Sequence, residues 1–328
     1  MDLTIFLAAT IAAAPPVLFA VLGETVTERA GMINLSLDGS LLLSAMTAFA
    51  TATSTGSLLL GFAAGAAVGA AAAAAVAVSG LTLRQSQVAT GFVLALLCRD
   101  LAYVLGNRFS HVPGPQVPHW PVPGLCRVPW FGPILFNHNA IVYLSILAVF
   151  AVWVVMFRAR PGLILRGLGE RPQAVFARGK PVLVWQYLSV IAGGALTGIG
   201  GAASSLLVKP GWSRPYGIEG SGWIALAIVI FGNWHPLRAA VGAIVFVGLQ
   251  TLATTLQSLL PGVPTLLFPT LPFPLMIFTL LLVTAGTAGW VNRVLSKMPP
   301  PVRRALQRLI NALQTRPPGA LGTVMKRD

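Results

Sequence analysis

The amino-acid sequence predicts an all-α, polytopic membrane protein with about nine membrane segments, one of them short or broken. Three observations lead to this fold class. The chain of 328 residues is 55% hydrophobic and only 9% charged, with a mean hydropathy of +0.79, so it lacks the polar surface of a water-soluble globule. Its apolar residues fall in runs near the ~20 that span a bilayer core. With the exception of Arg99, and of Arg238 at the very start of one run, its basic residues lie outside those runs.

The apolar runs predict nine membrane segments. The first is predicted to be a permanent span, because Met1 and Asp2 do not form the basic region that begins a cleavable signal peptide. The seventh is the weakest, because its run is shorter than a bilayer core requires. In chain order, the predicted segments are residues 3–22, 35–53, 57–79, 88–106, 139–157, 183–208, 220–232, 237–259 and 273–290.

The basic residues predict the side of the membrane on which each loop lies. The densest basic segment, residues 158–180, reads RARPGLILRGLGERPQAVFARGK and carries six of the 22 Lys and Arg residues. Placing it in the cytoplasm puts most other basic residues there too, which is the positive-inside bias. The N-terminus is then predicted outside and the C-terminus inside. Residues 1–291 form the predicted membrane domain, with a cytoplasmic loop at 158–181, and residues 292–328 form a basic cytoplasmic tail.

Charge and motifs argue against several classes of function. Topology accounts for the net charge of +14, so this charge does not indicate nucleic-acid binding. The sequence contains no GxxxxGK[ST], HExxH, GxSxG or paired-cysteine motif, and so no visible means of hydrolysing ATP or forming a covalent intermediate. His111, His119 and His138 share one predicted outer loop, but their spacings match no common metal site. We therefore expect a conduit and not an enzyme, with no metal and no cofactor.

The first irregular region is residues 23–40, GETVTERAGMINLSLDGS. It is predicted to leave the first membrane segment and to start the second one with Asn34, Ser36 and Asp38. Between the two segments the chain is predicted to turn through Glu24, Glu28, Arg29 and Gly31. Polar side chains at a helix N-terminus can cap its free amides. Two interpretations stay open, an inner loop followed by a capped helix and a gate or translocation pathway.

The second irregular region is the pair Arg99 and Asp100 inside the fourth predicted segment. Ionised groups at membrane depth are unfavourable and face a partner or a water-filled cavity. Neighbouring residues point about 100° apart on a helix, so each side chain is expected to find its partner on another segment. A structural ion pair is preferred to a transport role.

The third irregular region is residues 216–232, YGIEGSGWIALAIVIFG, where Glu219 and Ser221 precede a short apolar run. Short or broken helices expose their ends to a central cavity in transporters. In the predicted topology, the group formed by the first four segments begins outside, and the group formed by the last four begins inside. That arrangement is expected of inverted repeats, although the two halves show no clear sequence similarity.

Proline and glycine in the basic loop occupy positions that suit the start and the end of a helix. Pro172 is suited to the first turn of a helix and Gly179 to its end, so a short amphipathic helix is predicted between them. Such a helix would suit a socket on a partner protein. A contact with anionic lipid would explain the arginines but not the positions of Gly and Pro.

Three segments then resemble a known family. GETVTERAGMINLSLDG, GLILRGLGERPQAVFARG and GSGWIALAIVIFGNWHP are similar, in order, to the three signature regions of ABC importer permeases of the branched-chain amino acid, ribose and nucleoside superfamily. The resemblance covers about residues 3–286 and is greatest for the shorter permease of nucleoside or simple-sugar importers.

The resemblance implies a multi-pass subunit of the bacterial inner membrane that moves a nucleoside or sugar-like solute inward. Its implied partners, besides the bilayer, are ABC ATPase subunits, a second homologous permease in a heterodimer, and an extracytoplasmic substrate-binding protein. The predicted pathway residues are Asn34, Ser36, Asp38, Glu219 and Ser221. The ATPase-coupling residues it implies are Gly162, Arg166, Gly169, Glu170, Arg171, Pro172, Gln173, Ala174, Ala177 and Gly179.

Two other classes of protein stay open at this level. A self-sufficient, ion-coupled secondary transporter would use Asp38, Asp100 or Glu219 as its coupling acid. It would not need a docking helix in the basic loop, which distinguishes the two transport mechanisms. An intramembrane enzyme ranks third, since no catalytic constellation is visible.

Overall fold

The computed structural model describes residues 2–259, residue 274 and residues 317–323. Over these residues the regular secondary structure is helical, apart from one isolated antiparallel bridge between His119 and Asn139, which confirms the predicted all-α fold class. The α-helices of this part of the chain are α1 (Leu3–Ala13), α2 (Pro15–Arg29), α3 (Leu37–Thr55), α4 (Leu58–Ala77), α5 (Gln87–Gly106), α6 (Ala140–Phe157), α7 (Arg160–Glu170), α8 (Pro172–Ala177), α9 (Val182–Ala203), α10 (Ser221–Phe231) and α11 (Pro236–Leu259).

Most predicted membrane segments coincide with a helix. Among the described residues, five helices are long and apolar enough to cross a membrane, namely α4, α5, α6, α9 and α11, and the bent pair of α1 and α2 makes a possible sixth. The second predicted segment is α3, which is more polar, and the seventh is the short α10. The ninth, residues 273–290, lies almost wholly outside the described residues. The count of nine, the inverted repeats and the sides of the termini stay predictions.

The first predicted segment is not one straight helix. α1 and α2 meet at a bend of 50°, where Pro15 and Pro16 begin α2 and cannot donate backbone amides to the preceding turn. The predicted end of the first segment at Leu22 is also wrong, because α2 continues to Arg29 and the chain turns only after it, at Gly31, whose φ is +86°. Gly23 serves packing here, since a Cβ atom at this position would overlap the carbonyl oxygen of Gly193 on α9.

Helix α9 forms the centre of the bundle and packs against α2, α3 and α4. The contact between α4 and α9 is made backbone to backbone through glycines. A Cβ atom at Gly69 would overlap the carbonyl oxygen of Gly194, and one at Gly198 would overlap that of Gly65. Small residues four apart permit this close approach in membrane helices. Around this centre, α5 packs on α3, whereas α6, α10 and α11 pack on α2.

Candidate coupling and translocation sites

The basic loop, residues 158–181, folds into α7 and α8. Arg171 separates the two helices with an extended backbone, φ −150° and ψ 84°. Pro172 occupies the first position of α8, where its missing amide is no loss. Gly179 follows α8 with a φ of +71°, which favours glycine. The predicted short helix is therefore present.

Helix α7 was not predicted, although the sequence carries a signal for it. Leu165 and Leu168 lie three residues apart, as on one helix face, and both are buried. Gly162 lies against the backbone at the end of α6, and Gly169 lies against the carbonyl of Arg29. A Cβ atom at either glycine would overlap those backbone atoms. These two predicted coupling residues therefore hold α7 against the bundle.

Most of the other predicted coupling residues are on the surface of the loop. Pro172 is buried, and Arg166 is half-buried with its guanidinium carbon 4.9 Å from the centre of the Phe157 ring. The exposed ones are Glu170, Arg171, Gln173, Ala174, Ala177 and Gly179.

An open cavity of about 620 Å³ lies between α7 and α8. Leu163, Ile164 and Val175 give it an apolar floor, and Arg171 and Arg178 belong to its basic rim. Such a surface is complementary to a protein partner that offers an apolar side chain flanked by acids.

The loop is joined to the membrane helices through Arg29, the last residue of α2. Its Nη1 lies 3.7 Å from Oε1 of Glu170. Its Nε donates a hydrogen bond of 2.9 Å to the carbonyl of Trp234, and its Nη2 donates one of 3.3 Å to that of Asn233. The Trp234 indole in turn donates to the buried carboxylate of Glu28. Arg29 thus connects α7, α2 and the turn between α10 and α11, a role that no sequence motif indicated.

His235 lies in the same turn and stacks on Phe157, with ring centroids 4.7 Å apart. Burial, together with the guanidinium groups of Arg238 and Arg29, holds the pKa of His235 below its usual value. The imidazole is therefore neutral near pH 7 and adds no further charge beside Arg29.

The predicted pathway residues separate into two places. Asn34 and Ser36 are buried and bind each other, with Ser36 Oγ donating to Asn34 Oδ1 at 2.6 Å. Asp38 is half-buried at the start of α3, and its Oδ1 accepts a hydrogen bond of 3.0 Å from the amide of Gly222. Asp38 therefore lies at the first turn of α10, next to Ser221.

Glu219 is held just before that turn. Its Oε1 accepts from the amide of Tyr216 at 2.9 Å and its Oε2 from the amide of Gly217 at 2.5 Å. The hydroxyl of Tyr103, on α5, also donates to Oε1. Sequence reasoning did not identify Tyr103, because a tyrosine in an apolar helix carries no signal of its partner.

Helix α10 is too short to cross a membrane. Its 11 residues extend about 16 Å, roughly half of the ~30 Å hydrocarbon core. The turn that follows α10 binds Arg29, and the first turn of α10 binds Asp38. The non-helical chain from Ala30 to Ser36 runs between these two levels and is mostly buried. Such backbone is tolerated at membrane depth only inside protein or along a cavity. The first turns of α3 and α10 therefore meet deep within the bundle.

The expectation for Arg99 and Asp100 is wrong in one respect. In the part of the chain that the structure describes, their ion pair is with each other, with 3.2 Å between Arg99 Nε and Asp100 Oδ1. The long arginine side chain can bend back toward its neighbour, which the angle between Cβ directions does not reveal. Their side chains are 45% and 66% exposed among the described residues.

The fold is that of a polytopic membrane protein. The family described as branched-chain amino acid transport system / permease component matches residues 6–284, and the chain belongs to this family. It is a permease subunit of an ABC transporter, which confirms the resemblance of the three sequence segments.

Curated relatives carry names from the same class of transporter. The putative glucose ABC transporter permease protein TsgC13 of Haloferax volcanii is 37% identical over 255 residues, which covers 76% of this chain and 77% of that protein. The nucleoside ABC transporter permease protein NupC of Lactococcus lactis subsp. cremoris is 30% identical, over 76% of this chain and 81% of its own length. The guanosine ABC transporter permease protein NupQ of Bacillus subtilis is 28% identical, over 79% and 84%. No solved structure matches the chain.

Proposed function

We propose that the protein is the permease subunit of an ABC importer that moves a nucleoside or a related sugar-like solute into a bacterial cell across the inner membrane. Separate ATPase subunits hydrolyse the ATP, and an extracytoplasmic binding protein delivers the solute. The names of the relatives support this class of solute. Membership of an ABC permease family leaves the alternative of a self-sufficient secondary transporter without support.

One observation carries the coupling part of this proposal, the contact between Glu170 of the basic loop and Arg29 of α2. An ATPase seated on the cavity between α7 and α8 would move the loop when it closes on ATP. Arg29 would then pass this movement to α2 and to the turn between α10 and α11. The apolar floor and basic rim of the cavity fit a protein partner better than a lipid headgroup.

The solute pathway is proposed to lie beside α5, where Asp38, Ser221 and Glu219 surround the first turn of α10. Amides and hydroxyls at helix ends can hydrogen-bond the hydroxyl groups of a ribose ring, whose polar atoms must be satisfied when they leave water.

A second, homologous permease is proposed to cover the outer face of α5. The exposed pair of Arg99 and Asp100 would be unfavourable against lipid, because ionised side chains at membrane depth face protein or water. A heterodimer would place this pair inside the complete assembly and would enclose the pathway between the two permeases.

The coupling proposal is tested with the double variant Glu170→Ala, Arg171→Ala in vesicles reconstituted with the partner subunits. Uptake and solute-stimulated ATP hydrolysis should both be lost, while the permease stays inserted and folded. Arg84→Ala is the matched control, because Arg84 is an exposed arginine between α4 and α5, outside the basic loop. Full transport by the double variant would overturn the coupling role.

A further inference from the structure

A segment near the end of the basic tail is bound to the middle of the basic loop, at the C-terminal end of α7. Within the tail, the structure describes residues 317–323, PPGALGT, and we name this segment the tail clasp. The amide of Ala320 donates to the carbonyl of Gly169 at 2.7 Å, and the amide of Gly322 donates to that of Gly31 at 2.9 Å. The amide of Gly319 donates to Oε2 of Glu170 at 3.3 Å.

The tail clasp is an ordered turn and not an extended strand of passing chain. Leu321 donates its amide to the carbonyl of Pro318 at 3.0 Å, and Thr323 donates its amide to that of Ala320 at 3.1 Å. Pro318 and Ala320 are buried, and Leu321 packs against the main hydrophobic core. The clasp therefore combines internal hydrogen bonds with burial of apolar side chains.

Its three bonds to the rest of the protein join two elements that the proposed coupling must connect. Gly169 and Glu170 are the end of α7, whereas Gly31 lies in the turn that follows α2 at Arg29. The side chain of Glu170 is 56% exposed, and an ion pair that is open to water contributes little by itself. Backbone hydrogen bonds on both sides of this pair would make the joint stiff.

We propose that the tail clasp fixes the basic loop to the end of α2, so that movement of a docked ATPase is passed to the membrane helices. The proposal gives the C-terminal tail a positioning role in transport. It rests on the proposed function, because it takes the basic loop to be the site of ATPase docking.

Two truncations of the full chain test the proposal. Removing residues 317–328 deletes the tail clasp together with the charged residues that follow it. Removing only residues 324–328 deletes those same charged residues and leaves the clasp in place. In the first variant the amides of residues 167–171 should exchange hydrogen about tenfold faster, the effect of losing hydrogen bonds that hold the segment closed. The amount of solute transported per ATP hydrolysed should fall several-fold. The shorter truncation should match the wild-type protein in both measurements.

Unchanged exchange in the permease lacking residues 317–328, or faster exchange with wild-type transport per ATP, would overturn the proposal. If that chain fails to assemble, Gly322→Pro provides the same test, because proline lacks the donating amide and cannot adopt the φ of +72° found there. Exchange is measured on the permease alone, so it reports the clasp even if the ATPase docks elsewhere. Failure of the proposed function would instead show as full transport by the variant with Glu170→Ala and Arg171→Ala.

Discussion

The carboxylate of Asp38 accepts a hydrogen bond of 3.0 Å from the amide of Gly222, 184 residues further along the chain. The contact is so close that a Cβ atom at Gly222 would overlap the backbone of Asp38. It brings the N-terminal ends of α3 and α10 together. Both ends carry the positive side of a helix dipole, which favours a negative charge between them.

Because of this contact, two variants can distinguish the effect of the negative charge of Asp38 from the effect of its hydrogen bond to Gly222. Asp38→Asn keeps an oxygen that can accept from Gly222, so the permease should still assemble with its partners. Transport should fall about tenfold, the order of difference between a charged and a neutral hydrogen bond. Asp38→Ala removes the acceptor as well and should lower both assembly and transport. Uptake and the yield of assembled complex are measured on the same preparation.

Glu219→Gln extends the same test, because Glu219 accepts from the amides of Tyr216 and Gly217. A pathway role predicts slower transport in a complex of normal yield. If the Asp38→Asn and Glu219→Gln variants lose transport only in proportion to assembled complex, both acids are structural caps.

The backbone contact between α4 and α9 predicts a strong positional effect of side-chain size. Gly69→Val forces a side chain against the carbonyl of Gly194 and should destabilise the permease by about 1–3 kcal/mol, as overpacking does. Ala67→Val adds bulk to the exposed face of the same helix and should leave stability nearly unchanged. Thermal unfolding of both purified variants measures the difference. Equal melting temperatures would show that this helix contact does not hold the bundle together.

The predicted topology is tested with single cysteines in a background lacking Cys98 and Cys126. A cysteine at Gly124 should react with an impermeant thiol reagent added outside, whereas one at Gln173 or Gln314 should not, because the basic loop and tail are predicted to be cytoplasmic.

Labelling of the Gln314 position from outside would overturn the predicted side of the tail. The same experiment tests the tail clasp. Because the clasp contacts Gly169 and Gly31, the end of the tail must lie on the same side of the membrane as the basic loop. A tail and a loop that label from opposite sides would contradict this contact.

The helical segments could be predicted because their signal is local. The run from Gln87 to Gly106 is apolar enough to require a membrane, whatever lies beside it. The short helix of the basic loop followed in the same way from Pro172 and Gly179. The prediction that the first segment ends before Gly23 was wrong, because glycine and charged residues in sequence suggest the end of a membrane helix. In the structure Gly23 lies inside α2, where its missing side chain leaves space for the backbone of α9.

The sequence alone determined the all-helical membrane fold, the short helix of the basic loop and the family, because composition, hydropathy and short motifs depend on consecutive residues. Only the tertiary structure decided which polar groups meet. It joined Arg29 to Glu170, Asp38 to Gly222 and Tyr103 to Glu219, and it paired Arg99 with its own neighbour Asp100. The reason is physical: a polar group buried in the bundle must find a partner, but the chain direction and packing of distant helices determine which partner comes within reach.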